Sequence, residues 1–132
     1  MAAALVLALM MGLVMPASAG LSVLSVDGAN CIPGDENGEP TKPFCTIQAA
    51  VDAAYASAVI VIADGTYNEN VLIDKELTLR SVNGAASTII AGQTPGGTTA
   101  GAIRVAPGVY GVTIGNMDQG FTIQGAAPGA GG

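Results

Sequence analysis

The sequence predicts an all-β chain in which short strands stack as coils of a parallel solenoid, a β-helix, with one α-helix capping the first coil. Three observations carry that expectation. Apolar segments of a few residues recur from Val59 to Gly125, separated by Gly-rich turns. Three of them, "LTL" (77–79), "VTI" (112–114) and "FTI" (121–123), share an apolar-Thr-apolar order. In a coil that order sends the apolar pair inward and Thr outward. An Ala-rich helical stretch precedes these segments, where a solenoid needs a cap over its first coil.

Composition agrees. The 132 residues suffice for one domain. Half are hydrophobic, yet only 4% are aromatic and 11% charged, and 19 are Gly. A helical bundle would carry more Leu, Glu and Lys. The net charge is -6, and the four basic residues, Lys42, Lys75, Arg80 and Arg104, are scattered. No basic stripe exists to neutralise phosphates, so nucleic acid is excluded as an expected partner. With no His in the chain, a Ser-His-Asp triad and a His-containing zinc site are both impossible.

Residues 1–19 read as a signal peptide. "AAALVLALMMGLVM" is apolar and uncharged, and "PASAG" follows with small residues at Ala17 and Ala19, which places cleavage after Ala19. The run is shorter than the ~18–20 residues of a membrane span, so no stable span is expected after cleavage. No Lys or Arg precedes it, a departure from the usual pattern, and a short membrane anchor is the alternative. The expected location is extracellular or at the cell surface. Residues 20–45 hold a strand, "LSVLSV" (21–26), and an acidic loop bracketed by the only cysteines, Cys31 and Cys45. In an oxidising compartment these two would form a disulfide, which contributes about 3 kcal/mol by loop closure. Two free thiols are the alternative; two cysteines do not complete a zinc tetrahedron.

Residues 46–125 hold the capping helix and the coils. "TIQAAVDAAYASA" (46–58) reads as helix, with Thr46 as N-cap and Ile47, Ala50, Val51 and Ala54 on one apolar face. Strands are expected at 59–63, 70–73, 77–81, 87–91, 102–106, 111–115 and 120–125. The links between them are mostly too short for crossover helices. At "ADGTYNENVLI" (63–73), Asp64-Gly65 supply a turn, Tyr67 folds its ring over the corner, Asn68 and Asn70 bond local backbone, and Val71 and Ile73 point inward. An antiparallel sandwich or barrel is the competing arrangement. Residues 126–132 are a Gly/Pro-rich tail or linker.

The stretch "CTIQAAVDAAYASAVIVIADGTYNENVLIDKELTLRSVNGAASTIIAG" (45–92) resembles the opening of right-handed parallel β-helix proteins of the pectin lyase-like superfamily. Pectinesterases share this opening, as do bacterial secreted β-helix proteins. The resemblance implies the fold and says little of the reaction. The catalytic Asp, Gln and Arg of pectinesterases lie in later coils, and no stretch here matches them, so no catalytic residue is assigned. About three coils can be counted, near the minimum for a stable solenoid, and no C-terminal cap is recognisable. The chain is therefore expected to be the leading part of a longer protein.

Candidate chemistry is sparse. "GDENGE" (34–39) places Asp35, Asn37 and Glu39 as a calcium loop begins, but without its distal Glu; a solvated acidic turn is the preferred alternative. Asp64 with Glu69, and Asp74 with Glu76, flank turns as carboxylate pairs, which glycoside cleavage uses; solvated turn charges are again preferred. Arg80 and Arg104 are expected to point outward, where they could meet an acidic sugar or only solubilise the face. The expected function is a secreted structural or carbohydrate-binding scaffold, with polysaccharide or cell-surface components as partners. The alternative is the non-catalytic leading coils of a pectinesterase or polysaccharide lyase.

Overall fold

A computed structural model of the protein describes residues 23–93 and 101–126. The expected signal peptide and the tail from 127 onward lie outside the described residues. The chain is mostly β, with one short helix. Its elements are β1 (Val23–Val26), α1 (Ile47–Ala53), β2 (Ala58–Ile62), β3 (Gly65–Asn68), β4 (Val71–Ile73), β5 (Leu77–Ser81), β6 (Thr88–Ala91), β7 (Ile103–Val105), β8 (Thr113–Ile114) and β9 (Thr122–Gln124).

The strands form three sheets, ordered β1-β2-β5-β8, β3-β6-β9 and β4-β7. Every pairing between these strands is parallel, which removes the antiparallel sandwich. From β2 onward the chain visits the first, second and third sheets in turn, then repeats that order. Register puts like on like. Leu24, Ile60, Leu79 and Ile114 form one inward column, and Tyr67, Ile90 and Ile123 another. Among the described residues the columns are sealed at one end and open at the other: Ile60, Leu79 and Ile90 are fully buried, whereas Ile114 is 39% and Ile123 52% exposed.

α1 packs against β4, β1 and β2. Its face of Ile47, Ala50 and Val51, continued by Ala54, is buried, as the helical spacing requires. Thr46 caps it, accepting from the Ala49 N–H at 3.1 Å. The helix is shorter than expected. Ala54 is already extended (φ -69°, ψ 142°), and residues 54–57 carry the chain to Ala58, whose place opposite Leu77 makes it the first residue of β2. Tyr67 folds back over the Asp64-Gly65 corner as expected, its hydroxyl donating to the Ala63 carbonyl at 3.0 Å, and is buried there at 6% exposed. Two expectations change around β3: Gly65–Asn68 is strand and not turn, and Asn70 does not bond local backbone. Asn70 bonds the next circuit: its amide donates to the Gly101 carbonyl at 3.2 Å, and its oxygen accepts from the Gln93 N–H at 2.6 Å.

Candidate functional site

The strands that begin the three sheets, β1, β3 and β4, each turn one edge away from the rest of their sheet. In a strand, the N–H and C=O of one residue point to one side and those of the next residue to the other. On β1, Ser25 faces outward. Its N–H donates to the Gly38 carbonyl at 2.8 Å and its carbonyl accepts from the Phe44 N–H at 2.9 Å, so the disulfide-closed loop covers this edge. Gly38 has φ +83°, and a Cβ there would stand 2.5 Å from Leu24 and 2.8 Å from Phe44, so only glycine fits this close approach.

On β4, Leu72 faces outward and Gln48 of α1 covers it. The Leu72 N–H donates to Gln48 Oε1 at 2.7 Å, and Gln48 Nε2 donates to the Leu72 carbonyl at 3.2 Å. One side-chain amide thus stands in for a neighbouring strand. Glu69 holds the helix in place, accepting from the Ile47 and Gln48 N–H groups at 2.8 and 2.9 Å. A carboxylate at a helix N-terminus satisfies orphan donors.

Over β3 lies a cleft of about 390 Å³. Asp64 to Glu69 line it together with Gly28, Ala29, Cys45 and Thr46. No Lys or Arg lines it. Burial raises the pKa of the Tyr67 phenol above its ordinary 10.0, and the nearby carboxylates of Asp27, Glu69 and Asp64 act in the same direction. The nearby Gly28 backbone acts in the opposite direction.

Cys31 and Cys45 are joined in a disulfide, and the Cys45 N–H donates to Glu36 Oε1 at 2.7 Å. Among the described residues, Cys31, Glu36 and Cys45 are the one grouping of three metal-capable side chains, but both sulfurs are in the disulfide and offer no thiolate. Disulfides persist in oxidising compartments. Among the described residues, no helix is long and apolar enough to cross a membrane.

The residues of the acidic loop do not converge on a common point. Asp35 pairs with Lys42 at 2.7 Å, and that contact raises the Lys42 pKa. Asn37 and Glu39 bond each other, the Asn37 amide donating to Glu39 Oε2 at 3.0 Å and the Glu39 N–H to Asn37 Oδ1 at 2.9 Å. Asp64 and Glu69 share the cleft, with Asp64 held by the Asn83 amide at 2.9 and 3.1 Å. Asp74 and Glu76 lie elsewhere: Asp74 contacts Lys75 at 3.2 Å, and Glu76 lies against Gly111. Arg80 and Arg104 sit on different sheets and do not meet. The sequence reading missed Gln48, Glu36 and Glu69 as partners of backbone groups. A capping box would place an acid at position 49, which is Ala, and that vacancy is the one local sign that a distant carboxylate completes the cap.

Compared with family models, curated proteins and solved structures, the chain matches none of them.

Proposed function

We propose that this chain is a right-handed parallel β-helix of the pectin lyase-like type, exported and serving as a structural or carbohydrate-binding scaffold. The observation that carries the reading is the repeated visiting order of three parallel sheets, with apolar columns in register between circuits. Each circuit is then one coil, and α1 with the disulfide loop is the cap at its leading end. The signal-like residues 1–19 and the disulfide support export.

The surface offered to a glycan is the outer face of the four-stranded sheet. Val23, Val59, Thr78 and Thr113 form one outward row, and Ser25, Val61 and Arg80 another. The face is a ladder of short side chains with one guanidinium, suited to an extended neutral polymer. A net charge of -6 disfavours an acidic polymer. Affinity electrophoresis of the purified protein through gels containing neutral or acidic plant polysaccharides tests this. Retardation by a neutral glycan that falls on Arg80→Ala supports it. Free migration in every gel would contradict the binding role, and methanol release or new unsaturated ends from pectin would move the reading to an enzyme.

A further inference from the structure

We propose that β3 receives an added strand: an extended peptide segment of a partner protein, carrying basic side chains, docks along its outer edge in the cleft. The first ground is backbone geometry. The Gly65 N–H donates to the Ser87 carbonyl beside β6 at 2.9 Å, so Gly65 and Tyr67 address β6. By alternation, the N–H and C=O groups of Thr66 and Asn68 address the opposite side. That side is the cleft, since no residue of β6 lines it. The same alternation holds on the other two leading strands, where Ser25 and Leu72 turn outward and each has both groups bonded. Among the described residues, no corresponding partner meets Thr66 or Asn68. The edges at Ser25 and Leu72 are covered, and the edge at Thr66 and Asn68 opens onto a cleft.

The second ground is charge. Asp64 and Glu69 stand at the two ends of β3, Asp27 lies near enough to act on Tyr67, and no cation lines the cleft. Asn83 and the α1 N–H groups bond Asp64 and Glu69 without removing their charge. An occupant with Lys or Arg near each end would meet complementary charge, and an acidic segment would be repelled. Strand addition draws its affinity from main-chain hydrogen bonds and its selectivity from the flanking side chains. Four residues of β3 span about 13 Å, which a segment of about four residues matches, with a basic residue beyond each end. This inference is independent of the carbohydrate reading, which concerns another sheet.

The test uses the full chain and three synthetic hexapeptides of alternating Val and Thr: one with Lys at both ends, one with Glu at both ends, and the Lys peptide N-methylated at alternate backbone nitrogens. Amide exchange read by NMR is the first measurement. In the free protein, the Thr66 and Asn68 amides should exchange at least tenfold faster than that of Tyr67. Adding the Lys peptide should slow them, while the methylated and Glu peptides should not. Asp64→Asn should weaken the Lys peptide about threefold. Thr66→Pro removes an edge donor without touching the β6 pairing, and should abolish binding. Slow exchange at Thr66 and Asn68 in the free chain would overturn the proposal, because another part of this chain would already fill the edge. Equal binding of the methylated peptide, or no protection by the Lys peptide at millimolar concentration, would also overturn it.

Discussion

Leu79→Ala and Ile114→Ala remove side chains from the same inward column, and the fold predicts that they differ in cost. Leu79 is fully buried between Ile60 and Ile114. A buried Leu→Ala change costs 2–5 kcal/mol, rising with the cavity left behind. Leu79 lies one strand from the open end, so partial collapse is possible, and about 3 kcal/mol is expected. Ile114 ends the column at 39% exposed. It forfeits a smaller transfer term and leaves a dent that water fills, so about 1 kcal/mol is expected. Urea unfolding of both variants measures the difference, provided the slope stays constant so that midpoint shifts report stability. Equal costs, or a larger cost at Ile114, would refute the stacking order, because the column would then be sealed at both ends or would not be a column.

Three further outcomes follow from named contacts. Gln48→Ala strips both partners from the Leu72 edge, and because that edge is open to water the loss should be about 1–2 kcal/mol, with faster amide exchange at Leu72; unchanged exchange would show that Gln48 does not cover the strand. Thr88 is fully buried and its hydroxyl has no partner among the described residues, so Thr88→Val should raise stability by about 1 kcal/mol in the same urea assay, and a loss would mean that the hydroxyl is bonded. The Tyr67 pKa is raised on folding by burial, so its contribution is complete below pH 10.0 and is lost as the pH rises through the folded value. Stability of the wild type should therefore fall more steeply on the alkaline side than that of Tyr67→Phe, and parallel curves would exclude Tyr67 as the cause.

What the sequence disclosed, and what it hid, divides along a physical line. β5 is legible to the residue, because Leu77 and Leu79 alternate with Thr78 and Arg80 and the inward positions carry the whole apolar signal. The buried face of α1 is legible for the same reason. β3 was hidden because "GTYN" offers one apolar side chain, and its inward partner is a glycine. Its strand conformation comes from pairing with β6, about twenty residues later. The end of α1 was hidden because Ala54 to Ala58 have good helix propensity, which the strand register overrides. At the candidate site, the disulfide could be expected from two cysteines in a chain whose opening reads as a signal peptide. The cleft could not be, since it is the gap left where Gln48 and the loop cover two edges and not the third. Glu69 and Gln48 act on backbone groups 21 to 24 positions away, and no local pattern marks such contacts.

Successive circuits of the chain stack in parallel and in register. Inter-strand nuclear Overhauser contacts in the isotope-labelled protein test this stacking most directly. Backbone contacts are expected between Ala58 and Leu77, Ile60 and Leu79, and Leu79 and Ile114, together with Tyr67 to Ile90 in the second sheet. Contacts pairing Ala58 with Ser81 and Ile62 with Leu77 would make the same segments antiparallel and contradict it.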